Sequence, residues 1–393
     1  MKISCTGCAL ADFVYARVDF GGEAFKRYLS QTDGDGGLNP GHLVFSEDLE
    51  HFSGKPFTQI LDDITGGAKP DVFNLGGPAI VALVNAAQLL HGKDIQLYFY
   101  GALGRDDAAE RIIAILRRTP VNIDNYCRFD GVTPFTDVLS DPNYHNGKGE
   151  RTFVNSIGAA WQYAPEQLDH GFFDADIVFF GGTALVPDIH NHLTTLLKKS
   201  KAHGCINIVT TVFDFRNEKR YAGGRWPLGE SEESYRLIDL LIVDWVEALR
   251  LSGTDNLDDA VKFFTSNSVH SFIITHGAEK FYIWSDGTFF KQKELSALPV
   301  CSLVETHPEF KGDTTGCGDN FAGGVLASIV QQLNDGKSGS LDLIEASSWG
   351  CASGGFACFY IGGVYLEKRP GEKKARITEF RQSFMRQITG KIN

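Results

Sequence analysis

Residues 312–319 read Gly312-Asp313-Thr314-Thr315-Gly316-Cys317-Gly318-Asp319. Gly316-Cys317-Gly318 stands just before a segment whose apolar spacing, Phe321, Val325 and Ile329, is helical. Glycines ahead of a helix let backbone N–H groups converge on an anion, and the helix terminus adds about half a positive charge. Such a turn suits a transferring phosphoryl group, whose charge spreads over its equatorial oxygens. Asp319 opens the helix. Helix-terminal N–H groups favour its ionised form, so a carboxylate is expected at neutral pH. Beside an anion site, that carboxylate can accept the proton of a hydroxyl attacking phosphorus. A plain N-cap Asp after a glycine turn would also fit Gly-x-Gly-Asp. The longer run from Asp313 is more specific. Two other phosphate motifs fail. Gly336-Lys337-Ser338 resembles the end of a P-loop, but Gln331 stands where its first glycine belongs. No Gly-x-Gly-x-x-Gly opens the first βα turn, so a nicotinamide fingerprint is missing.

Elements must hold this turn in place. Apolar runs alternate with helix-like segments, the pattern of βαβ units and a largely parallel sheet. Strands are expected at 3–10, 96–100, 177–180, 206–213, 240–243 and 271–275. Helices are expected at 79–90, 107–118, 190–202, 257–266 and 319–333. Two stretches break this rhythm. Residues 13–50 are aromatic and glycine-rich. Residues 131–160 alternate polar and apolar positions around Asn146-Gly147-Lys148-Gly149, and Asn-Gly between extended runs signals a hairpin. Both are expected to form short strands of a small β flap outside the main sheet.

The 393 residues carry a net charge of −12, which repels nucleic-acid backbones. Any nucleotide therefore needs a local positive site. No run approaches 18 uncharged apolar residues, so no membrane span is expected. The start of the chain does not read as a signal peptide, since Asp12 interrupts it early. Eight scattered cysteines then read as reduced thiols of a cytoplasmic protein. Cys5-x-x-Cys8 lacks the second pair a zinc site needs.

Residues 313–319 resemble the second signature of the ribokinase-like (PfkB) family of sugar and nucleoside kinases, Asp-Thr-x-Gly-Ala-Gly-Asp, with Cys317 for Ala. The resemblance continues in family order along almost the whole chain. Gly7-Cys8-Ala9-Leu10-Ala11-Asp12 is similar to the first strand, whose Asp binds substrate hydroxyls. Gly76-Gly77-Pro78 resembles the first signature, and Gly104-Arg105-Asp106-Asp107 a Gly-x-Asp-Asp motif. Gly149-Glu150-Arg151-Thr152 resembles a lid hairpin. Asp244-Trp245-Val246-Glu247 resembles the Asn-x-x-Glu motif near magnesium and phosphates, and Thr275-His276-Gly277-Ala278 a nucleotide-binding segment.

The resemblance implies one domain over 1–393, a three-layer α/β/α sandwich around a mostly parallel sheet. Stretches 13–50 and 131–160 would form its lid, which also mediates dimers in the family. Asp319 would be the catalytic base and the Gly316, Cys317 and Gly318 backbone the anion hole. Asp12, Gly76 and Gly77 would meet the substrate; Asp244, Glu247, Thr275 and Gly277 would meet ATP. Mg²⁺ would be held through water near Glu247. Potassium would lie on Asp313, Thr315 and carbonyls near Ala357, Tyr360 and Gly362.

Three positions depart from the pattern. Cys317 would contribute mainly its N–H; a helix N-terminus also lowers a thiol's pKa, which would favour oxidation. Asp244 replaces Asn and adds negative charge near a triphosphate. The Asn that follows the double glycine is replaced by Ile80 or Val81, with Asn85 and Asn74 as alternative substrate ligands. Convergence of two among Arg105, Lys148 and Arg151 would indicate a phosphorylated sugar; otherwise a neutral sugar or polyol is expected. Phe13, Tyr15, Phe20 and Phe25 could instead form a shelf for a nucleoside base. A catalytically silent sensor of the same fold is the remaining alternative.

Overall fold

The computed structural model describes residues 1–32, 34–144, 149–221, 223–307, 309, 314–337 and 341–390. Gly312, Asp313, Asn146, Gly147 and Lys148 lie outside the described residues. The strands are β1 (Lys2–Gly7), β2 (Leu10–Tyr15), β3 (Leu43–Phe45), β4 (Val72–Gly76), β5 (Gln96–Leu103), β6 (Asn122–Arg128) and β7 (Phe135–Asp141). They continue as β8 (Glu150–Ser156), β9 (Ile177–Gly181), β10 (Ile206–Thr210), β11 (Leu240–Asp244), β12 (Ser271–His276), β13 (Lys280–Ser285) and β14 (Lys293–Pro299). A nine-stranded sheet runs β14-β13-β12-β11-β10-β9-β1-β5-β6, and a five-stranded sheet runs β3-β8-β7-β2-β4. From β6 to β12 the large sheet is parallel; β13 and β14 are antiparallel.

Strand side chains alternate between two apolar layers. On β9, Ile177 and Phe179 join one cluster while Val178 and Phe180 join the other. Ile208 and Val209, Ile242 and Val243, and Ile273 and Ile274 divide in the same way. Strands apolar on both faces are stable only when both faces are covered. Helices Pro78–Leu89, Cys317–Asn334, Leu343–Ala357 and Glu372–Thr389 cover one face; Leu193–Ala202, Trp245–Ser252 and Leu257–Ser266 cover the other. The result is the expected α/β/α sandwich with a small separate sheet. Each fully covered ring, such as Phe179 or Phe180 at 0% exposure, stabilises it by about 1.5–3 kcal/mol.

Several expected elements shift. The strand expected over 3–10 breaks at Gly7, where φ is +132° and a Cβ would lie 1.9 Å from Gly181 O. The chain leaves the large sheet there and enters the small one as β2. The strand expected to reach 213 ends at Thr210, and the helix expected over 190–202 is interrupted at His192. Stretch 13–50 contains β3 but also the helices Glu23–Lys26 and Ser46–Ser53, so its expected all-strand character is corrected. Stretch 131–160 does form β7 and β8, paired antiparallel from Phe135↔Ser156 to Asp141↔Glu150.

One face of the small sheet is apolar. Tyr15, Leu139 and Val154 pack with Phe20, Phe25, Leu49, Phe57 and Ile60. Phe20 and Phe25 stack at 4.2 Å within this core. These rings are held by packing beneath the sheet, not displayed as a shelf. The opposite face carries a polar row: in register, Asn74 faces Asp12, Asp12 faces Thr136, and Thr136 faces Asn155.

Candidate active site

A cleft of about 510 Å³ lies at the carboxyl ends of β10, β11 and β12, the position where open parallel sheets bind ligands. Thr211, Asp244, Glu247, Thr275 and Gly277 line one side, and Cys317, Gly318, Asp319 and Phe321 the other. The first turn of helix Cys317–Asn334 points into it. Gly316 supplies the left-handed turn into the helix, with φ 72°. The N–H of Cys317 donates back to Thr314 O at 3.2 Å. The N–H groups of Gly318 and Asp319 have no carbonyl partner among the described residues. A Cβ built on Gly318 would meet nothing within 4 Å. Of the expected Gly316–Gly318 donors, the Cys317 N–H is thus taken by the turn itself, while the Gly318 N–H and that of Asp319 face the cleft wall. The Cys317 thiol lies 3.6 Å from that of Cys358.

Burial pushes the Asp319 carboxyl up to about 7. Loss of hydration thus outweighs the helix terminus, and the carboxyl exchanges its proton near neutral pH. Glu247 is also pushed up to about 7 by burial, with Asp244 and Asp319 adding to the rise and its hydrogen bonds opposing it. Thr211 Oγ1 and the Asp244 N–H both donate to Glu247 Oε2. Asp244 Oδ1 accepts from the Val246 N–H at 2.9 Å, completing a capping box with Glu247. The Asp-for-Asn departure thus has a local cause, since either residue caps a helix. Thr275 Oγ1 donates to Val243 O, tying β12 to β11. Gly277, at φ +53°, leaves open space on the cleft wall.

Asp12 is 5% exposed, on the polar face of the small sheet. A Cβ on Gly76 would strike its Oδ2 at 2.3 Å, and one on Gly77 would lie 2.6 Å from Cys8 O. The double glycine is therefore required by close approach to Asp12 and to the β1–β2 turn. Burial raises the Cys8 thiol, and the carboxylates of Asp319 and Asp12 raise it further. Cys8 is thus within electrostatic reach of both acids, one from each side of the site.

Asn85 is turned away from the cleft: its amide donates to Asn320 O at 2.7 Å between two packed helices. Asn74 donates to Ile361 O and Val364 O and clamps the turn after helix Leu343–Ala357. Asn74 is thus committed to that turn, while Asn85 keeps its Oδ1 buried with no hydrogen-bond partner among the described residues. Asn155 and Thr136 were not legible as site residues. Asn155 Nδ2 donates to Thr136 Oγ1, while its Oδ1 is buried with no hydrogen-bond partner among the described residues. Their signal was tertiary: only strand register places them beside Asp12.

Arg105 pairs with Asp130 in solvent, whereas Arg151 reaches from β8 to Thr315 Oγ1 at 2.7 Å. These two arginines do not converge. The described part of the expected potassium set, Thr315 with the carbonyls of Ala357, Tyr360 and Gly362, offers neutral oxygens only. Among the described residues no group of three His, Cys, Asp or Glu side chains could hold a metal. No helix among them is long and apolar enough to cross a membrane.

A family model described as pfkB family carbohydrate kinase matches residues 62–368. A bifunctional ribokinase/ribose-5-phosphate isomerase A of Fructilactobacillus sanfranciscensis is 24% identical over 266 residues, 64% of this chain and 42% of that protein. A cytidine kinase of Thermococcus kodakarensis is 34% identical over 90 residues, 23% of this chain and 29% of that protein. The chain thus matches less than half the length of either curated relative. The structure of adenosine kinase from Sinorhizobium meliloti superposes with a TM-score of 0.67 at 19% identity, covering 97% of this chain and 98% of that one. That likeness is one of fold.

Proposed function

The chain belongs to the pfkB family of carbohydrate kinases, and from that premise we propose that it transfers the γ-phosphoryl group of ATP to a hydroxymethyl group of a sugar or sugar-like alcohol. The observation that carries the reading is Asp319: a half-buried carboxyl on the first turn of a helix, at the cleft wall and beside open N–H donors. Its proposed role is to take the proton of the acceptor hydroxyl as that oxygen attacks phosphorus. The phosphorus–oxygen bond to ADP breaks in the same displacement. The Gly316-Cys317-Gly318 turn, with the Gly318 and Asp319 N–H groups, would stabilise the charge on the moving phosphoryl group. Arg151 would add positive charge there as the small sheet closes.

Asp244, Glu247, Thr275 and Gly277 would line the nucleotide's path. The buried Glu247 carboxylate fits a hydrated Mg²⁺, which on binding would neutralise phosphate charge. No step here runs through a monovalent cation. On the acceptor side, Asp12 would accept substrate hydroxyls and the Asn155–Thr136 pair would extend the same polar face. The aromatic candidates pack beneath the sheet, which favours a neutral sugar or polyol over a nucleoside. Residues 1–393 would act as one catalytic unit with the small sheet as lid, and a homodimer through that sheet is testable by sedimentation.

The experiment is a transfer assay with labelled ATP against ribose, fructose, adenosine and cytidine. Label should appear on a sugar; label on a nucleoside alone would overturn the acceptor class. No transfer together with binding of a sugar would favour a silent sensor.

A further inference from the structure

Behind the glycine turn lies a lysine that forms no ion pair among the described residues. Lys373, in the first turn of helix Glu372–Thr389, is 1% exposed. Its ammonium donates to Asn320 Oδ1 at 2.7 Å, and the Tyr360 hydroxyl donates to the same oxygen at 3.2 Å. The Asn320 amide nitrogen donates to Gly316 O and to Gly363 O, both at 2.8 Å. An ammonium can only donate and a carbonyl can only accept, so the amide's orientation follows from its partners. Both donors and both acceptor sites of Asn320 are thereby used. Gly316 is the turn into the helix that bears Asp319, and Gly363 belongs to the turn packed against it.

A buried charge without a counter-charge is costly, and an apolar side chain of similar size would be cheaper. Among the described residues no carboxylate pairs with this ammonium. Glu367 instead accepts from the Lys373 backbone N–H at 2.8 Å, and the Tyr360 ring lies 5.7 Å from Nζ. Burial pushes the Lys373 pKa down to about 7, with Glu367 opposing. The one hydrogen bond that the described residues give this buried ammonium leads to the residue next to Asp319.

We propose that Lys373 is a positioning residue for phosphoryl transfer: its ammonium locks the Asn320 amide, which ties the Gly316 turn to the Gly363 turn and holds Asp319 in place. This rests on the kinase reading above. It adds a specific demand, that the tie matters more while charge moves to the phosphoryl group than while the nucleotide merely binds.

The test compares wild type, Lys373→Met and Asn320→Asp. Turnover of ATP is measured on the panel of ribose, fructose, adenosine and cytidine, and binding of a non-hydrolysable ATP analogue by calorimetry. Lys373→Met removes an unpaired buried charge, so its melting temperature at neutral pH should equal or exceed that of wild type. Its kcat should fall about 10- to 100-fold, the scale of a small misplacement of reacting groups. Analogue affinity should stay within about threefold, since ground-state binding is not the target. Asn320→Asp keeps an acceptor for Lys373 but loses both donors to the carbonyls, and should lose kcat to the same extent. A folded Lys373→Met, or an Asn320→Asp, with the wild-type kcat would overturn the inference alone. So would a Lys373→Met in which melting temperature, analogue binding and kcat all fall together, since that is a structural role. A wild type that binds no analogue and turns over no panel member would sink the kinase reading and this inference with it.

Discussion

At Asp319 two influences oppose each other: helix-terminal N–H groups favour the carboxylate, and burial favours the neutral acid. Burial wins, and the pKa settles at about 7. A base is most effective when its pKa lies near the working pH. The account predicts that kcat/KM falls as pH drops below about 7 and levels above it. Glu247 titrates in the same range, so the acid limb should be steeper than one proton in a pH–rate profile. Stability has the opposite sign. Asp319 is raised from 3.8, so between the unfolded and folded values the folded state holds more protons than the unfolded one. The stability present below about pH 4 is lost as pH climbs through 7. Asp319→Asn should therefore raise the melting temperature at about pH 8 and change it little at about pH 4, read by calorimetry. None of this was legible in the sequence, because burial belongs to the surroundings and not to the motif. Lys373 was missed for the same reason: nothing near it in the chain marks it as facing Asn320.

The elements differ in how plainly the sequence shows them. Strands such as β9 and β11 were legible because an apolar run bounded by polar residues has one comfortable home, a sheet covered on both faces. Helix Leu343–Ala357 was not. Its Gly350 and Gly354 lie where a Cβ would crowd Phe321 O and Cys317 O, so its pattern reflects close helix contact and not an amphipathic face. The polar row of the small sheet was half legible. Asp12 was marked by its motif, while Thr136 and Asn155 needed the register. Two predictions follow from these contacts. Gly76→Ala should push Asp12 aside, raising KM for the acceptor while leaving KM for ATP nearly unchanged. Arg151→Gln removes the contact from β8 to Thr315. It should leave the folding stability within about 1 kcal/mol of wild type, as partly exposed contacts do. It should also raise ATP hydrolysis relative to transfer, since closure excludes water from the phosphoryl group.

The whole molecule is acidic, with a net charge of −12, yet its site gathers the groups that can receive a phosphate. A helix terminus and Arg151 flank one turn, and the buried Lys373 braces it from behind through Asn320. The two sheets meet at that turn from opposite sides, the large sheet offering the cleft at its carboxyl ends and the small sheet its polar face. Closure should be visible in hydrogen exchange: acceptor and ATP analogue together should protect β7 and β8 more than either alone. The measurement closest to the central claim is transfer of labelled γ-phosphate from ATP to the accepted substrate by wild type and by folded Asp319→Asn. The account predicts a loss of about 10²- to 10⁴-fold in kcat, the usual contribution of a general base, with analogue binding retained. Transfer at the wild-type rate by Asp319→Asn would contradict it.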